Sequence, residues 1–80
     1  MILEFYAVKD ELANNYLAPT LMSNEDMAKR QFKSQINNIP LWKDNPADFS
    51  LWRLGTFDDE SGEILYKPEK IIGGRSLIDA

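Results

Sequence analysis

The chain has 80 residues, nine Lys plus Arg against thirteen Asp plus Glu, and a net charge of −4. Without Cys or His it can form neither disulfides nor the common zinc sites, and no apolar run approaches the ~20 residues that a membrane span needs. One small domain follows, marginal in stability unless it self-associates, and the acidic balance argues against a protein that wraps duplex DNA by neutralising phosphates.

The opening segment, MILEFYAVK, reads as a strand over 1–9. Leu3, Phe5 and Ala7 face one side, and Ile2, Glu4, Tyr6 and Val8 the other. Both sides are largely apolar, so the strand is expected in the middle of a sheet. No basic region precedes the apolar stretch and acids follow at once, so it is not read as a secretory signal. DELANN reads as a turn. The segment 16–22, YLAPTLM, is an edge-strand candidate or an irregular extended piece, because Pro19 lacks a ladder donor.

The spacing then predicts a helix over about 24–37. Ser23 or Asn24 caps it, and Glu25 and Asp26 place carboxylates in the first turn, where they complement the helix dipole. Met27 or Ala28, Phe32, Ile36 and Ile39 form its apolar stripe, and Asn37-Asn38 and Pro40 end it. Lys29, Arg30 and Lys33 fall together away from that stripe. This ridge has two readings. It is a phosphate-contacting face, or a solvated surface with Glu25–Lys29 and Asp26–Arg30 ion pairs.

In LWKDNPADFS, Asn45 and Pro46 set up a single helical turn through Asp48. Trp42 and Phe49 anchor this loop to the core, and Trp42 is alternatively a stacking platform for a nucleic-acid base. Residues 50–57 and 63–67 read as a hairpin around Asp58-Asp59-Glu60-Ser61-Gly62. The contiguous acids suit a turn closed by glycine. They lack the alternating ligands of a calcium loop, and a hairpin tip has no pocket for a carboxylate pair. Gly55, inside the first of these strands, points to a bulge or a close backbone approach. Past Tyr66, Gly73-Gly74 reads as a hinge, with Ile71-Ile72 and Leu77-Ile78 around it as sticky pairs. There is no repeat, no low-complexity block and no nucleophile–base arrangement.

The run NPADFSLWRLGTFDDESGEI, residues 45–64, resembles the signature of the small nonstructural protein of gokushoviruses, single-stranded DNA bacteriophages of the Microviridae. Asn45, Pro46, Asp48, Phe49, Trp52, Leu54, Gly55, Phe57, Asp58 and Gly62 carry the likeness. The match is specific over about twenty residues and loose elsewhere. The resemblance implies a DNA-binding phage protein active in progeny genome synthesis or packaging, in the host bacterial cytoplasm.

The expected fold is α+β: a small, mostly antiparallel sheet of three or four strands with one helix on a face. The domain is expected over 1–70, with 71–80 as a flexible or partner-docking tail. The chain is expected to be no enzyme and to need no metal or cofactor. The first functional expectation is single-stranded DNA binding through Lys29, Arg30, Lys33, Lys43 and Arg53, with Trp42 or Trp52 stacking. The alternative is a protein–protein adaptor acting on the replication initiator or procapsid without touching DNA. One helix covers only one sheet face, so a homodimer or higher oligomer is expected to cover the other.

Overall fold

The computed structural model describes residues 1–78. Its elements are β1 (Ile2–Asp10), β2 (Asn15–Tyr16), β3 (Thr20–Met22), α1 (Glu25–Asn38), α2 (Pro40–Asp44), β4 (Phe49–Asp58) and β5 (Ile64–Gly73). Short 3₁₀ turns occupy Pro46–Asp48 and Gly74–Leu77. The fold is the expected α+β: an antiparallel sheet carrying one main helix.

The apolar β1 is central, as its two-sided composition requires. β4 pairs along one side of it, and β2 and β3 share the other. β5 pairs with β4 and forms the far edge. The turn after β1 is built by Asp10, whose Oδ1 accepts from the Leu12 and Ala13 amides, both at 3.1 Å. β2 and β3 are two pieces of one edge strand, interrupted at Leu17–Pro19, which is where the proline was expected to disrupt pairing.

Among the described residues the main core cluster lies on one sheet face. Tyr6 and Val8 of β1 and Phe49 and Leu51 of β4 pack against Ala28, Phe32 and Ile36 of α1 and Trp42 of α2. Of the two starts that the spacing allows, Ala28 is buried and Met27 is 53% exposed, and Ile39 packs at the cluster's margin. Asn24, not Ser23, caps α1: its Oδ1 accepts from the Met27 amide at 2.9 Å. Pro40 ends α1 but also opens α2 as that helix's first residue, where the missing N–H costs nothing.

The C-terminal segment differs most from expectation. β5 does not stop near Lys67 but continues through Pro68 to Gly73, which an edge strand tolerates because the proline's donor side can face solvent. Ile71, Ile72, Leu77 and Ile78 pack on the core, and Asn37 Nδ2 donates to the Leu77 carbonyl at 3.0 Å. Residues 71–78 thus pack with the rest of the chain where a flexible or partner-docking tail was expected; 79–80 lie outside the described residues. Gly74 is buried, with an extended residue before it and no positive φ. A Cβ there would lie 2.5 Å from both Ile36 Cδ1 and the Pro46 carbonyl oxygen. It is a close-packing glycine where a hinge was expected.

Candidate nucleic-acid interface

Strand alternation sorts the candidate residues onto two opposed surfaces. On the helix side Arg53 and Lys29 are committed to carboxylates. Arg53 lies opposite Tyr6 in the β1–β4 ladder. It donates to Glu4 at 3.2 Å and to Glu69, and Glu25 lies 3.9 Å away. Tyr6 donates to the other Glu4 oxygen at 2.8 Å. Burial first, and then the Glu4 hydrogen bond, push the Tyr6 phenol up to about 12. Arg53 is thus the hub of a network that closes the sheet beside the helix, and it is not presented to a ligand.

Lys29 pairs with Glu25 at 3.0 Å, the expected i,i+4 pair. Among the described residues the Asp26–Arg30 pair does not form. Arg30, Lys33 and Lys43 are exposed. Trp42 is not a stacking platform. It is 9% exposed, stacked on Phe49 with ring centroids 4.7 Å apart, and tilted against Phe32 at 6.4 Å. The loop-anchoring alternative describes it correctly.

The motif residues around it are structural. Asn45 Nδ2 donates to the Leu41 carbonyl at 2.9 Å and closes α2, while the Asp48 amide donates to the Asn45 carbonyl at 3.0 Å. At the hairpin tip the Gly62 amide donates to the Asp58 carbonyl at 2.7 Å, with Gly62 at φ +77°. The Glu60 amide donates to Asp58 Oδ1 at 2.9 Å, and this bond leads in holding the Asp58 carboxyl below its ordinary range. Asp59 meets the N-terminal ammonium at 2.8 Å. The acidic trio is turn chemistry. Gly55 sits at the β4 bulge, where β1 register slips between Phe5 and Tyr6, and the Leu65 backbone fills the space that a side chain would need.

Among the described residues the opposite sheet face has no helix on it. Ladder partners share a face, so Ala7–Trp52, Lys9–Ser50, Lys9–Tyr16 and Trp52–Lys70 place all these residues there. The Tyr16 and Trp52 rings meet edge-to-face at 5.8 Å. Lys9 Nζ stands over both, 5.4 Å from the Tyr16 centroid and 5.0 Å from that of Trp52.

The indole is held in place from behind. Trp52 Nε1 donates to Ser50 Oγ at 2.9 Å, and Ser50, 1% exposed, donates to Glu11 Oε1 at 2.6 Å. That bond, ahead of the attraction of Lys9 and Lys70, holds the Glu11 carboxyl below its ordinary range. The result is a rigid aromatic pair flanked by two lysines, a combination suited to stacking a base while meeting its phosphates.

Of the seven sequence candidates only Trp52 belongs to this cluster; Lys9, Tyr16 and Lys70 complete it. Alternation in β1 put Lys9 on the face of Phe5 and Ala7 and was a usable signal. Tyr16 and Lys70 depend on pairings across β2–β1 and β4–β5 that no local pattern shows.

The sequence profile of the family described as Phage ORF5 protein matches residues 3–77. The chain belongs to that family. No curated protein and no solved structure matches.

Proposed function

From the chain's place in the phage ORF5 family we propose that this phage accessory protein binds single-stranded DNA at the Tyr16–Trp52 platform. The phage is of the gokushovirus type, and binding serves progeny genome synthesis or packaging in the host cytoplasm. The observation that carries this reading is the lysine-flanked aromatic pair on the uncovered sheet face. A sheet face with exposed aromatics stacks splayed bases without needing a groove. It also reconciles DNA binding with a net charge of −4. The acids Glu4, Glu25 and Glu69 are gathered around Arg53 on the other side of the sheet, so the platform's local charge is set by Lys9 and Lys70 against Glu11.

The test uses the two tryptophans as separate reporters. In a Trp42→Phe background, oligo-dT should quench the remaining Trp52 emission. Trp52→Ala should weaken binding roughly 5- to 150-fold, the range for loss of one stacked base. Two lysine–phosphate contacts give a log–log salt slope of about −1.4 on single strands. A second reading, the protein–protein adaptor, is favoured by a second feature of the same face, its charge-free distal half. Salt-insensitive association with another phage protein, and no quenching by DNA, would decide for it.

A further inference from the structure

We propose that the distal half of the open sheet face is where a second copy of this chain docks. The surface lies beyond the platform and does not depend on the nucleic-acid reading. Two ladder rows build it: Leu21–Phe5–Gly55–Tyr66 and Leu3–Phe57–Ile64. Phe5 and Phe57 are in contact, with ring centroids 6.4 Å apart. Tyr66 is 74% exposed, Ile64 62% and Leu21 41%, while Leu3, Phe5 and Phe57 are half-buried. α1 does not reach this surface, because the described core sits on the opposite face.

Three observations select an identical chain as the occupant. The first is charge. Each chain carries −4, so two copies repel unless their contact surface is free of carboxylates. These two rows contain no charged residue, whereas the helix side at the same level presents Glu4, Arg53, Lys67 and Glu69. The lack of any lysine in the rows also makes them a poor seat for phosphates.

The second is geometry. Sheet proteins associate either by edges or by faces, and both edges here are blunted by proline, Pro19 between β2 and β3 and Pro68 within β5. A face remains. The third is area. Taking 150–250 Å² for a whole aromatic side chain, the six side chains expose on the order of 400 Å² per copy. Two copies with their rims reach about 1,000 Å², the lower bound for specific association. A reversible two-fold dimer is what that area supports. It leaves both Tyr16–Trp52 platforms outside the contact.

Sedimentation velocity of the full chain without nucleic acid, from 1 to 500 μM, tests this. Wild-type mass should rise from 9.2 kDa toward twice that value. Tyr66→Glu should weaken association at least tenfold. Leu65→Glu is the control: Leu65 is the next residue on the same strand, 56% exposed, but faces the helix side with its partner Thr56. It should leave association unchanged, with circular dichroism confirming the fold of both variants. A monomer throughout the range would overturn the proposal. Equal weakening by Leu65→Glu would overturn the assignment to this face. Failure of oligonucleotide binding would bear only on the platform.

Discussion

Replacing Gly55 by Ala should be among the most damaging single-methyl additions in this chain. A Cβ at Gly55 would lie 1.9 Å from the Leu65 carbonyl oxygen, 2.9 Å from its carbon and 3.2 Å from Tyr66 Cα. Carbon–oxygen contacts are tolerable from about 3.3 Å, so β5 would have to retreat by more than an ångström along the ladder it forms with β4. The neighbour is backbone, so no rotamer change relieves the overlap. Overpacking costs about 1–3 kcal/mol, and a backbone conformation at φ +157° that side chains rarely adopt adds about 1–3 kcal/mol more. The sum, about 2–6 kcal/mol, is a large share of the ~8 kcal/mol expected for 80 residues at ~0.1 kcal/mol each. Urea denaturation followed by circular dichroism should show the midpoint falling sharply, and heating should show a Tm lower by roughly 8–48 °C at 4–8 °C per kcal/mol. Gly62→Ala is the comparison, because there φ is +77° but nothing lies within 4 Å. It should cost only about 1 kcal/mol of backbone strain. If the two substitutions cost the same, the close approach of β5 to Gly55 is not what the position requires.

Asp59→Asn with Glu60→Gln should leave both oligonucleotide binding and stability within about 0.5 kcal/mol of wild type, because it removes only exposed ion pairs to the N-terminal ammonium; lost binding at normal stability would refute the turn reading of the trio. Ser50→Ala should release the Trp52 indole, lowering its steady-state anisotropy in a Trp42→Phe background and returning the Glu11 carboxyl toward its ordinary range; unchanged anisotropy would show that Ser50 does not position the ring. Tyr6 should ionise near pH 12 in a spectrophotometric titration, above the ordinary 10.0. Since its folded value is raised, the associated stability is intact below pH 10 and is lost as pH climbs through 12, an effect that Tyr6→Phe should abolish.

The local signals were legible where one segment determines its own structure. The Ala28–Phe32–Ile36 stripe, the broken edge at Pro19, the Asn45–Pro46 turn and the glycine-closed hairpin each follow from nearby residues. Gly55 was legible as a bulge or close approach, but not which strand approaches it. The segment beyond Tyr66 was misread for a physical reason. Pro68 and Gly73-Gly74 are breakers in isolation, yet an edge strand accepts the proline, and Gly74 is small because Ile36 and the Pro46 and Phe49 carbonyls close over it. Those three contacts come from distant parts of the chain. Arg53 was similarly ambiguous, since it looks like any other cation until Glu4 and Glu69, 49 and 16 residues away, converge on it.

Strand alternation gives the sheet's two sides different electrostatic tasks. On the helix side Arg53 is partly buried, and drawing it toward a phosphate would leave Glu4 and Glu69 without their shared cation in a region of reduced dielectric. Any phosphate contact there must offset that loss before it adds affinity. Lys9 on the open side meets a different balance. Its ammonium rests over two rings, 3.8 Å from Glu11, and the carboxylate retains its Ser50 hydrogen bond if the lysine moves. A base arriving at Trp52 can take the ammonium's place on the ring while the ammonium turns to the base's own phosphate. Lys9 is itself 17% exposed, less than Arg53 at 27%, so the contrast rests on the partners left behind: Glu11 keeps its Ser50 hydrogen bond when Lys9 moves, whereas Glu4 and Glu69 lose their shared cation when Arg53 moves. For the proposed DNA binding, that contrast favours the Tyr16–Trp52 platform over Arg53 as the contact.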